Sequence, residues 1–337
     1  MVLTPYEKNE IPLPKHEELS ESAKAILENL FAGNTHKSYK SDLKDFYTYL
    51  DSKGKDPVAV TSETIINYFD HLRENGKKYS TIQRRLVSIR SLYKQYGAGL
   101  AKEAKARGDN DFVYHNPAST DQIKSWMKAL RKTIGTAQKQ KRPATKRIIN
   151  ALLNEIDGNR LIDIRNRALL AIGYAGAFRR SELAALDMED IERDSEGVYI
   201  NIRKSKTDQE GQGMKKFIYY GEKASRCPVR LLEAWIRAAE IKEGALFRRV
   251  NKGGRVGDRM SDKAIYNVVK DTARKAGFDE REFGGHSLRS GLITQLADDG
   301  VEERDIMRHS GHKSVEIMRR YIREVDTKKK SPTKGIL

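Results

Sequence analysis

The sequence predicts a mainly α protein in two parts: an N-terminal helical bundle, then a mixed α/β domain that is mostly helical and carries a small antiparallel sheet. Two observations predict it. Apolar residues recur at i, i+3, i+4 and i+7 through most of the chain, the period of an amphipathic helix. That period gives way to strict alternation only between about residues 198 and 219. The length, 337 residues, suffices for about two cores.

Residues 1–20 mix Pro5, Pro12 and Pro14 with scattered charge and show no period, so they read as a flexible arm. The helical domain is expected over 21–134. Tyr39, Leu43, Phe46 and Leu50 share one helical face, and the stretch from Asp51 to Pro57 breaks that helix. A second helix follows Thr61, with Ser62 as its expected cap and Ile65, Ile66, Phe69 and Leu72 inside; Asn75-Gly76 ends it. A third runs from Ser80 with Ile82, Leu86, Ile89 and Tyr93 inward, and Lys77, Lys78, Arg84, Arg85, Arg90 and Lys94 on a basic outer face. A fourth carries Ile123, Trp126, Met127 and Leu130. Residues 135–144, polar and basic, read as a linker to a second domain over 145–326. There Val198, Ile200 and Ile202 alternate in a strand, a second alternating segment surrounds Phe217 and Tyr219, and helices resume at Pro228 and run to the end. Residues 327–337 form a basic tail broken by Pro332.

Composition narrows the function. Lys and Arg number 64 against 47 Asp and Glu, a net charge of +17, which makes a polyanion the expected partner. No apolar run approaches the ~20 residues of a membrane span, and Met1–Pro14 holds no signal-peptide core. With a single cysteine, Cys227, neither an internal disulfide nor a Cys-based zinc site can form.

Four places put polar residues where packing alone would not. A helix apolar on every side, Leu169 to Phe178, delivers Arg179 straight from the core, with Glu182 within reach. Such an arginine suits bidentate contact with phosphate, or a structural ion pair. Arg203-Lys204-Ser205-Lys206 follows the strand, and nothing local separates Lys204 from Lys206. His286 and Arg289 lie three apart near the start of a helix whose apolar side is Leu288, Leu292, Ile293 and Leu296, a plausible anion site. Arg308-His309-Ser310-Gly311-His312 precedes a stripe of Val315, Met318, Ile322 and Val325, with Tyr321 beside it. A zinc set of His286, His309 and His312 lacks both cysteine and an HExxH motif, so no metal is expected.

In this order, the four places resemble the tyrosine recombinase (phage integrase) family, most closely its Cre-like branch, over nearly the whole chain. Ala-Phe-Arg-Arg-Ser-Glu-Leu is similar to the family's first arginine box, His-Ser-Leu-Arg to its His-x-x-Arg box, and Ser-Gly-His with Tyr321 to its final step and nucleophile. The resemblance implies a helical DNA-binding domain and a catalytic domain that clamp duplex DNA at an inverted-repeat site, two protomers per site and four in the synapse. It implies Arg179 and Arg289 on the phosphate, Lys206 on the strand turn, His286, His312, Tyr321 as nucleophile and Glu182 as buttress of Arg179. His312 stands where Cre has tryptophan. The basic tail departs from the C-terminal helix that docks on a neighbouring protomer in Cre-like proteins.

The implied chemistry fits these residue types. Attack on a phosphodiester builds charge on the non-bridging oxygens, which two arginine forks stabilise without a metal. A free tyrosine loses its proton near pH ~10, and imidazole is a suitable base. Lys206 would protonate the departing 5′ oxygen, and His312 would donate to the phosphate. The 3′-phosphotyrosyl link conserves the bond energy, so neither ATP nor another cofactor is expected, and no GxxxxGK[ST] loop is present. Strand exchange through a Holliday junction follows, in the cytoplasm of a prokaryote. Sequence reading is expected from helix faces in the major groove: Gln83, Arg84 and Ser88 in the first domain, Lys263, Asn267 and Lys270 in the second. A type IB topoisomerase, a telomere-resolving enzyme and a non-catalytic DNA-binding regulator are the alternatives.

Overall fold

The computed structural model describes residues 34–136, 140–203, 213–316, 318, 319 and 321. The chain divides into two units, residues 1–138 and 139–337. The expected arm (1–20), the tail (327–337) and Lys206 lie outside the described residues.

In the first unit, α1 (Asn34–Ser52), α2 (Ser62–Glu74), α3 (Tyr79–Ala106) and α4 (Asp121–Ile134) close around one core. Leu43, Phe46, Leu50, Ile65, Phe69, Ile82, Leu86, Ile89, Met127 and Leu130 are all buried in it. The cap of α2 is Thr61, whose hydroxyl accepts from the Thr64 N–H, and not Ser62 as the sequence suggested. Ser62 is the first helical residue and turns inward, donating to the Pro117 carbonyl at 3.0 Å.

The expected basic face of α3 is also corrected. Arg85 and Ser88 are buried. Positions 82, 85, 86, 88 and 89 span one arc of the helix, so both polar residues turn to the core side with Ile82, Leu86 and Ile89. Burial is tolerated because partners are supplied, although Arg85 Nε has no hydrogen-bond partner among the described residues and only faces Asp42 at 3.7 Å. Ser88 Oγ donates to Asp42 at 3.0 Å, and Arg85 reaches the Tyr68 hydroxyl at 2.6 Å and the Asp45 carboxylate. Ser88 therefore presents nothing to a groove.

The second unit contains α5 (Lys146–Asn154), α6 (Leu161–Ala175), α7 (Arg180–Ala185), a sheet β1 (Ile191–Arg193), β2 (Gly197–Ile202) and β3 (Met214–Tyr219), and α8 (Pro228–Ala238). After α8 comes a β-ribbon, β4 (Arg248–Val250) with β5 (Val256–Arg259), where only helix was expected. Its residues are too basic to show alternation, and the turn at Asn251–Gly254 uses Gly254 at φ +77°. The helices α9 (Asp262–Lys275), α10 (Gly285–Asp298) and α11 (Glu303–Ser310) follow.

The central helix is α6. Ala168 through Gly173 are buried on every side, as an all-round apolar helix requires. The sheet is antiparallel in the order β1-β2-β3, with Val198 opposite Ile218 and Ile200 opposite Lys216. Opposed residues share a face, so Val198 and Ile200 draw Ile218 and Lys216 into the core. The alternating segment expected around Phe217 and Tyr219 is thus β3, with Lys216 and Ile218 on its core face and Tyr219 65 % exposed.

Candidate active site

Buried α6 ends in a turn, Gly176-Ala177-Phe178, that starts α7 at Arg179. Ala177 sits at φ +46°, which a residue with a Cβ adopts only under tertiary constraint. Glu182, one turn into α7, is 4 % exposed. Its carboxylate accepts the Arg179 backbone N–H at 2.9 Å and Arg179 Nη1 at 2.5 Å, so one side chain both caps α7 and orients the guanidinium.

Arg289 comes from the first turns of α10 and is fully buried. Its Nη1 donates to the Ala177 carbonyl at 2.8 Å, and its Nη2 faces His312 Nε2 at 3.2 Å. Its Nε has no hydrogen-bond partner among the described residues, a costly state for a buried donor. Burial, with Arg179 adding to it against the pull of Glu182 and Tyr321, draws the Arg289 pKa down to about 10, so it stays charged at neutral pH.

His286, on the same helix, is exposed, and its Nε2 lies 2.5 Å from the Tyr321 hydroxyl. The Tyr321 ring lies between two imidazoles, with its centroid 5.7 Å from that of His286 and 5.7 Å from that of His312. The Tyr321 main chain is held by the Thr294 hydroxyl of α10 at 3.2 Å. Met318, one turn earlier, is buried against Ile293 and Ile306, which anchors the tyrosine's segment; Val315 is exposed. Ile322 and Val325 lie outside the described residues.

His312 follows Gly311, which takes the left-handed conformation that ends α11. Burial first, then Arg289 and Arg179, draw its pKa down to about 3, so it is neutral. A neutral ring that accepts from Arg289 carries its proton on Nδ1, which lies 2.7 Å from Ser310 Oγ.

Arg179, Glu182, His286, Arg289, His312 and Tyr321 are therefore brought together, although they come from three of the four places singled out in the sequence. Two further residues join them. Lys216 of β3 is 2 % exposed and donates to the Gly176 carbonyl at 2.5 Å. His309 of α11 pairs through Nε2 with the Ala175 carbonyl at 2.8 Å. Lys216 was not singled out in the sequence, since its direction is set only by the pairing with Ile200 of β2. His309 stood in the fourth of the places singled out in the sequence and in the rejected zinc set, but nothing local marked it as a partner of a backbone carbonyl. Among the described residues no group of three or more His, Cys, Asp and Glu could hold a metal ion.

The residues expected to read bases separate into two groups. Gln83, Arg84, Lys263 and Asn267 are exposed, and Arg84 is held by Asp42. Ser88 is enclosed, and Lys270 is half-buried and paired with Glu280 at 3.1 Å.

The family model for the phage integrase family matches residues 142–328, and the model for its N-terminal SAM-like domain matches 26–96. The chain belongs to the phage integrase family, the tyrosine recombinases. It is 34 % identical over 313 residues to an integrase/recombinase XerD homolog of Selenomonas ruminantium, covering 93 % of this chain and 88 % of that one. To the recombinase Cre of Escherichia phage P1 it is 25 % identical, over 88 % of this chain and 86 % of the other. The fold is shared with the XerH site-specific recombinase in its post-cleavage complex with palindromic difH substrate (TM-score 0.64, 16 % identity, 94 % of this chain and 86 % of that one). It is shared too with a lambda integrase dimer bound to a COC′ core site (TM-score 0.57, 14 % identity, 89 % and 75 %). Among the described residues no helix is long and apolar enough to cross a membrane.

Proposed function

We propose that this chain is a site-specific DNA recombinase that acts in the cytoplasm through Tyr321. The observation that carries the reading is the Tyr321 hydroxyl 2.5 Å from His286 Nε2, beside a buried arginine whose Nε has no hydrogen-bond partner among the described residues. A scissile phosphate entering there meets Arg179 and Arg289 as paired forks. His286 takes the Tyr321 proton as the phenolate attacks, giving a 3′-phosphotyrosyl bond and a free 5′ hydroxyl. Lys206 protonates the departing 5′ oxygen. His312, neutral and bonded to Arg289, turns its ring to donate to the phosphate. Glu182 holds Arg179 in place throughout. A 5′ hydroxyl from the partner site then reverses the attack, and no cofactor takes part.

Residues 21–134 serve as the DNA-binding unit and 145–326 as the catalytic unit, joined by 135–144. Gln83 and Arg84 in the first unit, with Lys263 and Asn267 in the second, are the base-reading residues. The target is an inverted repeat that holds one protomer on each half, with four protomers in the synapse.

The test incubates wild-type and Tyr321→Phe protein with a pooled library of nicked duplexes, followed by capture of SDS-stable adducts. The expected result is an adduct on the Tyr321 peptide, missing from the Phe variant while DNA binding persists. Sequence-specific binding with no adduct from wild type would replace this reading with that of a regulator.

A further inference from the structure

The three last carbonyls of the α6 end each accept from a different element. Ala175 pairs with His309 of α11, Gly176 with Lys216 of β3 and Ala177 with Arg289 of α10. Helix C-termini leave carbonyls without intrahelical partners and carry partial negative charge, which nitrogen donors satisfy. Here the donors come from three directions and converge on the turn that begins at Gly176 and ends at Arg179. Arg289 belongs to the phosphate site proposed above, so one of the three tethers is itself part of that site.

We propose that Lys216 is a positioning residue of the cleavage site: its amine, docked on the Gly176 carbonyl, holds the turn that presents Arg179 and adds a proton-dependent positive charge behind the two phosphate-binding arginines. This rests on the recombinase reading and goes beyond it, because Lys216 is separate from Lys206 and does not touch the reacting atoms. The geometry is enclosed. Lys216 lies over the Phe178 ring, 5.0 Å from its centroid, and is almost wholly removed from solvent. Around it stand Arg179 and Glu182 at the start of α7, Arg289 of α10, and His309 and His312 at the end of α11. Glu182 is the one carboxylate among them.

Such a cluster repels an added proton until an anion arrives. Burial, then Arg289, with Glu182 opposing and Arg179 reinforcing, draws the Lys216 pKa down to about 7. The phosphate of bound DNA brings negative charge next to the same cluster and raises that value. Lys216 then takes up a proton as DNA binds. Binding linked to proton uptake tightens as pH falls from above the bound pKa to below the free one, by about tenfold for each unit of the rise. As cleavage develops further charge on the phosphate, the protonated amine is favoured more strongly.

The experiment compares wild-type, Lys216→Met, Lys216→Arg and Tyr321→Phe full-length protein on the nicked duplex recovered from the library. DNA affinity and the single-turnover rate of adduct formation are measured between about pH 6 and 9. Wild type and Tyr321→Phe are expected to share one pH dependence of affinity. Lys216→Met is expected to bind with a flatter one and, at saturating DNA, to form adduct about a hundredfold more slowly, the scale of a displaced Arg179. Lys216→Arg restores much of the rate, because it keeps a donor and a charge, but not the pH dependence.

Folded Lys216→Met with the rate and pH dependence of wild type would overturn the proposal. If Lys216→Met does not fold, a Lys216→Arg protein that keeps the wild-type pH dependence would overturn it equally. Wild type that binds DNA without forming an adduct removes the recombinase reading itself, whereas the affinity arm still reports on Lys216.

Discussion

Glu182 offers the sharpest test of how the site is held together. Glu182→Gln preserves shape, and the amide oxygen can still accept the Arg179 backbone N–H, so the cap of α7 survives. What is lost is the negative charge facing Arg179 at 2.5 Å. Removing one partner of a buried ion pair costs ~3–5 kcal/mol, and a single charge-assisted hydrogen bond is worth ~1.5–3 kcal/mol. The Arg179 side chain keeps 17 % exposure, so water relieves part of the penalty, and the lower end applies, about 2 kcal/mol. For a unit of about 200 residues, each kcal/mol moves the midpoint by ~2–4 °C, so a fall of ~4–8 °C is expected by calorimetry. Bound DNA changes the comparison, since phosphate restores the missing anion. Target duplex should therefore raise the midpoint of Glu182→Gln more than that of wild type. An unchanged midpoint in free Glu182→Gln would refute the idea that the carboxylate neutralises this cluster. Equal stabilisation of both proteins by DNA would refute the claim that phosphate takes over its role.

Three other outcomes follow from particular contacts. A Cβ at Gly291 would lie 2.1 Å from the Ala144 carbonyl oxygen, and backbone cannot yield cheaply, so Gly291→Ala should lose about 3 kcal/mol by denaturant titration. Ser88→Ala should cost ~1–2 kcal/mol through the abandoned Asp42 bond and leave DNA affinity alone, whereas Arg84→Ala should weaken binding by ~1–3 kcal/mol and relax base preference at the position it reads, as a binding-site selection would show. The acid limb of stability should involve Asp163 and Asp187. Arg160 hydrogen bonds lower the Asp163 pKa against the effect of burial, and at Asp187 burial raises the pKa but Arg203 and Arg259 outweigh it. Depressed carboxylates stabilise fully above the ordinary ~4 and lose that contribution as pH falls through the folded value, so melting midpoints should drop there, and Asp187→Asn should shallow the drop.

Much of the site was legible because its chemistry demands residue types that packing disfavours. Arg179 emerging from an all-apolar helix, and His286 with Arg289 opening another, are conspicuous in a linear reading. The inner faces of α1 to α4 were legible as well, since Leu43, Phe46, Ile65 and Ile89 follow the helical period. Failures came where polarity was equated with exposure. Arg85 and Ser88 are polar and buried, each with partners supplied by another element, and Lys216, which the sequence reading passed over, is buried in the same way. The ribbon at Arg248–Arg259 was hidden because basic residues on both of its faces erase alternation.

By itself, then, the sequence determined the helical periods, the family boxes in their order and the excess of positive charge. Each is a local or additive property of the chain. Tertiary structure alone decided that Lys216 faces the core, because its direction depends on which β2 residue lies opposite. It also decided that the carbonyls of Ala175, Gly176 and Ala177 are shared among His309, Lys216 and Arg289. Backbone groups carry no mark in the sequence, and the obligation to satisfy them once buried is met only when distant elements have packed.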